Sequence, residues 1–241
     1  MKHFKSMVGI DTEYRDAAVS ITNNSSDHIW LMVSKQYELL NNIITTKQLE
    51  LDIETLMEKT VLALIDELNE VYAWFHPSGI VTNPGMDVPQ NVKILEIRYE
   101  YVDALHFVIQ LILLGTMKEL GIKPGEYHYE VVETAVNVIK GKRIGSVDYR
   151  FYSVEEMMFK VSAILENLKW KHWKTYKEDP FDFLYFIETC VELFDMLVYS
   201  HYLVKHGVFP DDMKKDWPLR DITIEYVIKN IENFDRQARG Y

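Results

Sequence analysis

The sequence predicts an all-α fold, a helical bundle, on three observations. Apolar residues recur three and four positions apart through most of the 241-residue chain. Glycine and proline, 10 and 7 in number, gather in short breaks that leave long uninterrupted segments between them. The longest stretch with any strand character, residues 143–151, alternates only weakly. With 48% hydrophobic residues the chain has enough apolar material for a substantial core.

The elements follow in order. A first helix is expected over about His28 to Asn42. A second covers about Gln48 to Trp74, with Thr45 and Gln48 read as its capping-box pair. The next segment holds Pro77, Gly79, Pro84, Gly85 and Pro89, so nothing regular crosses it. A third helix runs from about Val92 to Leu120 and stops at Gly121, Pro124 and Gly125. A shorter one covers about Tyr129 to Ile139. Ser153 and Glu156 form a capping box opening a helix that reaches about Trp173. Another starts at Pro180 and ends near Gly207 and Pro210, and the last covers about Asp221 to Arg236. A faint repeat relates residues 48–120 to 153–207: Ala63-Leu-Ile-Asp66 resembles Ala163-Ile-Leu-Glu166, and Glu96, Glu100 and Asp103 are echoed by Glu188, Glu192 and Asp195. This suggests a duplicated helical hairpin within a single domain spanning 1–241, closed by a C-terminal helix and tail at 221–241. Periodic helices also match by chance.

Charge narrows the partners. Lys and Arg number 26 against 37 Asp and Glu, a net charge of −11, which argues against a nucleic-acid polymer. A small anionic ligand remains compatible if metal ions bridge it to the protein's acids. The single Cys190 excludes a disulfide framework and suits a reducing compartment. The first residues lack the apolar run of a signal peptide. The most apolar stretch, Val102 to Met117, carries Asp103, His106 and Gln110 and is shorter than a bilayer span. The expectation is a soluble, cytoplasmic protein with no membrane partner.

Two acid pairs stand out. Glu67 and Glu70 lie three apart on one helix, and Glu100 and Asp103 do the same on the next, so each pair leaves one face. Carboxylates set into an apolar helix need compensation, and Mg²⁺ takes such oxygens while keeping positions for water and phosphate. Solvated acidic faces are the commoner use of this spacing. The C-terminus adds specificity: Lys229, Asn233 and Arg236 or Gln237 fall on successive turns, a polar stripe with two cations suited to phosphates.

With these pieces in view, the chain resembles the all-α dimeric dUTPases and the related phage dCTPase-dUTPases. The matching residues are Glu67-Leu-Asn-Glu70, then Glu100-Tyr-Val-Asp103-Ala-Leu-His106-Phe107, then Lys229-Asn230-x-x-Asn233-x-x-Arg236-Gln237-x-x-Gly240-Tyr241. The resemblance implies that Glu67, Glu70, Glu100 and Asp103 bind Mg²⁺. It implies that Lys229, Asn233, Arg236 and Tyr241 hold the triphosphate or order a closing segment. A Gln on the first helix reads the pyrimidine in such proteins, and Gln36, with Asn41 nearby, is its counterpart. The implied partner is a deoxynucleoside triphosphate, and the implied assembly a homodimer. One departure is clear: the family's Trp-Lys-x-Trp-Lys after the first acid pair is replaced here by Trp74-Phe75-His76, while Trp170-Lys171-His172-Trp173-Lys174 stands in the second half.

Other signals are weaker. Gly141 to Ser146 lacks the Lys-Ser/Thr ending of a phosphate loop. His201 and His206, five apart, leave different faces and do not make a zinc pair. Asp103 and His106 have no matching Ser or Cys nucleophile, which makes His106 a supporting or packing residue. The expected activity is Mg²⁺-dependent hydrolysis of dUTP, and secondly dCTP, to monophosphate and pyrophosphate, with Glu67 or Glu70 activating water. The alternatives are a broader house-cleaning nucleotide pyrophosphohydrolase and a catalytically inactive helical interaction protein.

Overall fold

The computed structural model describes residues 7–49, 51–75, 90–143, 150–168, 181–208 and 217–240. Among them are eight helices and no strand: α1 (Met7–Asn23), α2 (His28–Thr46), α3 (Ile53–Phe75), α4 (Gln90–Leu120), α5 (Tyr129–Lys142), α6 (Val154–Asn167), α7 (Phe183–His206) and α8 (Trp217–Ala238). The all-α expectation holds.

The centre of the fold is α4, which packs against α3 and α7 along most of its length and also meets α1, α2, α5 and α8. Its residues Leu111, Ile112, Leu113 and Leu114 run consecutively and are all buried, so no side of that stretch faces water. The segment Lys93–Leu120 is long and apolar enough to cross a membrane, yet 78% of its most apolar window is buried inside the fold, as in the core helix of a bundle. Gly115 explains how closely α7 approaches: a Cβ there would sit 2.6 Å from Phe186 Cε1. Gly121 and Gly125, with φ of +68° and +91°, turn the chain after α4 where the sequence placed its stop.

The boundaries reveal where local pattern misleads. The Ser153–Glu156 capping box is formed in full. The one read at Thr45 and Gln48 is not. Thr45 lies inside α2, its hydroxyl donating to the Asn41 carbonyl at 2.8 Å, and Gln48 sits in the turn beyond with φ +50°. Asp52 caps α3 instead, accepting from the Thr55 amide at 2.7 Å and from its hydroxyl. An unexpected helix, α1, packs on α8: Ala18 is buried with Tyr99, Val227 and Ile228, and the Tyr14 hydroxyl donates to Asp235. Its stability comes from that docking, which no local pattern displays. The expected reach of α6 to Trp173 falls beyond Asn167, where the Asn167 amide donates to the Asp182 carbonyl at 2.9 Å and ties α6 to the start of α7. Trp170, Lys171, Trp173, Lys174 and Tyr241, and most of the weak strand at 143–151, lie outside the described residues.

Ion pairs also anchor α8. Glu225, 1% exposed, receives His201 Nε2 of α7 at 2.6 Å and pairs with Arg98 of α4. One turn earlier Asp221 takes Lys205 at 3.0 Å and His206. His201 and His206 thus each serve a carboxylate of α8 rather than a shared metal. These contacts fix α8 against α4 and α7 and set the position of the residues that follow Glu225.

Candidate metal centre

Helices α3 and α4 pack together, and Leu64, Leu68 and Val71 of one and Leu105 and Val108 of the other belong to the same buried core. That packing turns the acidic positions of both helices toward a common space. Glu67, Glu100 and Asp103 each offer a carboxylate oxygen within 4.8 Å of the other two, and all three are half-buried. Glu70 stands one turn from Glu67 at the exposed rim, close enough to act on Asp103 and Glu100 through its charge. Among the described residues, Glu67, Glu70 and Glu100 have no ion-pair partner.

The electrostatics record the cost. Burial, then repulsion from Asp103 and Glu70, pushes Glu67 up to about 8. Burial, then Asp103, Glu70 and Glu67, does the same to Glu100. Burial and Asp103 also raise Glu70. Asp103 is raised by burial and by Glu232, against the opposing pull of Lys229. All three residues offer hard oxygen donors, and among the described residues only Asp103 of the three has an ion-pair partner. Two opposite ligands of Mg²⁺ lie about 4.2 Å apart, a span comparable with the 4.8 Å that bounds this set. This donor set fits a hard divalent cation, with Glu67, Glu100 and Asp103 as its core and Glu70 at its rim.

On the third side is α8. Lys229, 3% exposed, places its ammonium 2.8 Å from Asp103 Oδ2 and 3.4 Å from Glu232 Oε2. Burial pulls its pKa down, but Asp103 and Glu232 outweigh burial and hold it charged. Arg236, one turn beyond Glu232, pairs with Glu232 and is partly exposed. Asn233 lies between them on the same helix, half-buried. Lys229, Asn233 and Arg236 thus lie along one helix, and Glu232, which the sequence reading did not single out, pairs with both cations. Glu232 sits three residues after Lys229 and four before Arg236, a spacing that alone announces pairing with both.

Gln36 is buried in a polar cluster beside the acids. Its Oε1 accepts from His106 Nδ1 at 2.7 Å and from the Tyr226 hydroxyl at 2.9 Å. Its Nε2 donates to Gln110 Oε1 at 3.0 Å, and Gln110 Nε2 donates to the Thr60 hydroxyl at 2.8 Å. Thr60 in turn donates to the Leu56 carbonyl at 2.7 Å. The His106 ring stacks on Tyr226 with centroids 3.8 Å apart, and burial, then Lys229, pulls its pKa down to about 3. His106 thus packs on Tyr226 and holds Gln36. Asn41 is not brought into this cluster: five residues on from Gln36 it faces elsewhere, and its amide donates to the Tyr37 carbonyl at 2.9 Å.

The echoing acids of the second half have a different fate. Glu188 pairs with Lys142, Glu192 with Lys160, and Asp195 with Arg143. Each carries its own cation, where Glu67, Glu70 and Glu100 carry none among the described residues.

No family model, curated protein or solved structure matches the chain.

Proposed function

We propose that this protein is a Mg²⁺-dependent pyrophosphohydrolase of deoxypyrimidine nucleoside triphosphates, acting on dUTP first and dCTP second. The observation that carries the reading is the convergence of carboxylates from α3 and α4 beside a helix bearing Lys229 and Arg236. An acidic protein gains an anion-binding site in this way only where cations stand between its acids and the ligand. The order and spacing of the three motifs, which resemble those of the all-α dimeric dUTPases, point to the same class. The resemblance extends the proposal to a cytoplasmic homodimer.

Glu67, Glu70, Glu100 and Asp103 would hold Mg²⁺, which when bound supplies charge neutralisation and acidifies water. Glu67 or Glu70 accepts the proton of the attacking water, and the remaining hydroxide adds in line to the α-phosphorus. The bond from the α-phosphorus to the bridging oxygen breaks, and pyrophosphate leaves with both electrons of that bond. Lys229 and Arg236, with Asn233, meet the charge on the leaving group. Tyr241 belongs to the same proposal as part of the closing tail. Gln36, buried between His106 and Tyr226, is the proposed reader of the pyrimidine base.

Pyrophosphate release from a panel of deoxynucleoside triphosphates, with Mg²⁺ and with EDTA, tests this. Turnover should appear with Mg²⁺ only, for dUTP and then dCTP, and Glu100→Gln should lower it at least about a hundredfold with the helical signal intact. Near-normal turnover of Glu100→Gln at saturating Mg²⁺ would refute the assignment.

A further inference from the structure

Lys229, assigned above to the leaving group, is buried in this structure. It is 3% exposed, and its ammonium is already engaged by Asp103 at 2.8 Å. Asp103 is also one of the three carboxylates whose oxygens converge within 4.8 Å. One carboxylate therefore faces two claims: from the ammonium that holds it, and from any divalent cation drawn to the cluster. A divalent ion on Asp103 would repel an ammonium hydrogen-bonded to the same group.

The structure contains a second place for that ammonium. Glu232 Oε2 is 3.4 Å from Lys229 Nζ, is buried, and has no hydrogen bond among the described residues. The other oxygen of Glu232 pairs with Arg236, whose guanidinium reaches the partly exposed end of the stripe. A modest rotation of the lysine side chain thus exchanges Asp103 for Glu232 without leaving the ammonium unpaired.

We propose that Lys229 is a built-in stand-in cation that holds Asp103 in the metal-free protein and shifts to Glu232 when a divalent cation takes that carboxylate. The proposal rests on the reading of Glu67, Glu100 and Asp103 as cation ligands. Glu232 is then a positioning residue: it receives the lysine and touches neither metal nor phosphate. Metal binding and the lysine's change of partner become one linked event.

The test is a double-mutant cycle of Mn²⁺ affinity, measured by the free-ion electron paramagnetic resonance signal on the full chain without nucleotide. Lys229→Met should bind Mn²⁺ about tenfold more tightly than wild type. Glu232→Gln should weaken binding about tenfold when Lys229 is present and less than about threefold when it is Met, because only the lysine needs the second station. General charge effects would give Glu232→Gln the same penalty in both backgrounds, and that result overturns the proposal. A second measurement keeps Lys229 in place: the ¹⁵N ammonium resonance of Lys229, assigned by its loss in Lys229→Arg, should shift on adding Mg²⁺ to wild type and stay fixed in Glu100→Gln. An unmoved wild-type resonance under Mg²⁺ that raises the melting temperature overturns the exchange and leaves the metal site standing. Absence of Mn²⁺ binding in both wild type and Lys229→Met overturns the metal site and the exchange together.

Discussion

Replacing Glu100 by Gln removes one negative charge from the cluster while preserving the length of the side chain. In the metal-free protein that change should stabilise the fold. The carboxyl of Glu100 rises from 4.5 to about 8 on folding, and each tenfold in a proton equilibrium is about 1.4 kcal/mol. The strain at about pH 8 is therefore capped at about 5 kcal/mol. Glu67, Glu70 and Asp103 contribute to that strain and would lose some of their own when Glu100 is neutral. Solvent reaches the half-buried group as well, so a net gain of about 1–2 kcal/mol is expected, or about 2–8 °C in melting temperature for a chain of this size. Mg²⁺ should act in the opposite order. At a hundredfold excess over its dissociation constant it should add about 2.7 kcal/mol to wild type and little to Glu100→Gln. The assay is thermal unfolding by circular dichroism of both proteins in EDTA and in Mg²⁺. Should Glu100→Gln melt below wild type in EDTA, or gain as much from Mg²⁺, the carboxylates are not mutually strained and the cluster is not a cation site.

Three further outcomes are expected. Because Glu67 and Glu100 titrate near 8 in the folded chain and near 4.5 unfolded, the native state holds more protons between those values. Metal-free stability should therefore fall as pH rises from about 4.5 to about 8, and urea midpoints across that range should flatten when Mg²⁺ is present. Glu192→Gln with Asp195→Asn should keep full turnover, since those acids are matched to Lys160 and Arg143. Leaving the mostly buried Arg143 without its partner should cost about 1–3 kcal/mol in denaturant unfolding; a folded double variant without turnover would place catalytic groups in the second half. Thr60→Val removes the hydroxyl that Gln110 Nε2 donates to. It should cost about 1–2 kcal/mol by the same measurement, and an unchanged midpoint would show that the amide finds another acceptor.

The acid pairs were legible because a three-residue spacing commits two side chains to one face whatever the rest of the chain does. Lys229, Asn233 and Arg236 were legible for the same reason. Glu232 lay inside that stripe and escaped notice because the segment was read for its cations alone. What a helix faces is less legible than what it carries. Gln36 stands out as a polar residue on an apolar helix, yet its partners come from α4 and α8, with Thr60 of α3 one bond farther on, at separations no local pattern spans. Asn41 seemed equivalent by nearness in sequence and is turned away by the helical angle. The start of α3 was misplaced because Thr45 and Gln48 imitate a capping box, whereas the amide that needed a cap belonged to Thr55 and was met by Asp52. Helix α1 was missed because what holds it is α8, more than two hundred residues away.

The chain of bonds from Leu56 to Tyr226 has a direction. A carbonyl can only accept, so the Thr60 hydroxyl must spend its proton on Leu56 and present a lone pair to Gln110. That fixes which end of the Gln110 amide is oxygen, which in turn fixes Gln36. Gln36 Oε1 then demands a proton from each of its two neighbours, and a neutral His106 must carry its single proton on Nδ1. Its Nε2, buried and without a partner among the described residues, is left as a lone pair one helical turn from Asp103. The tautomer of an imidazole beside the acids is thus written by a backbone carbonyl of α3, four side chains away.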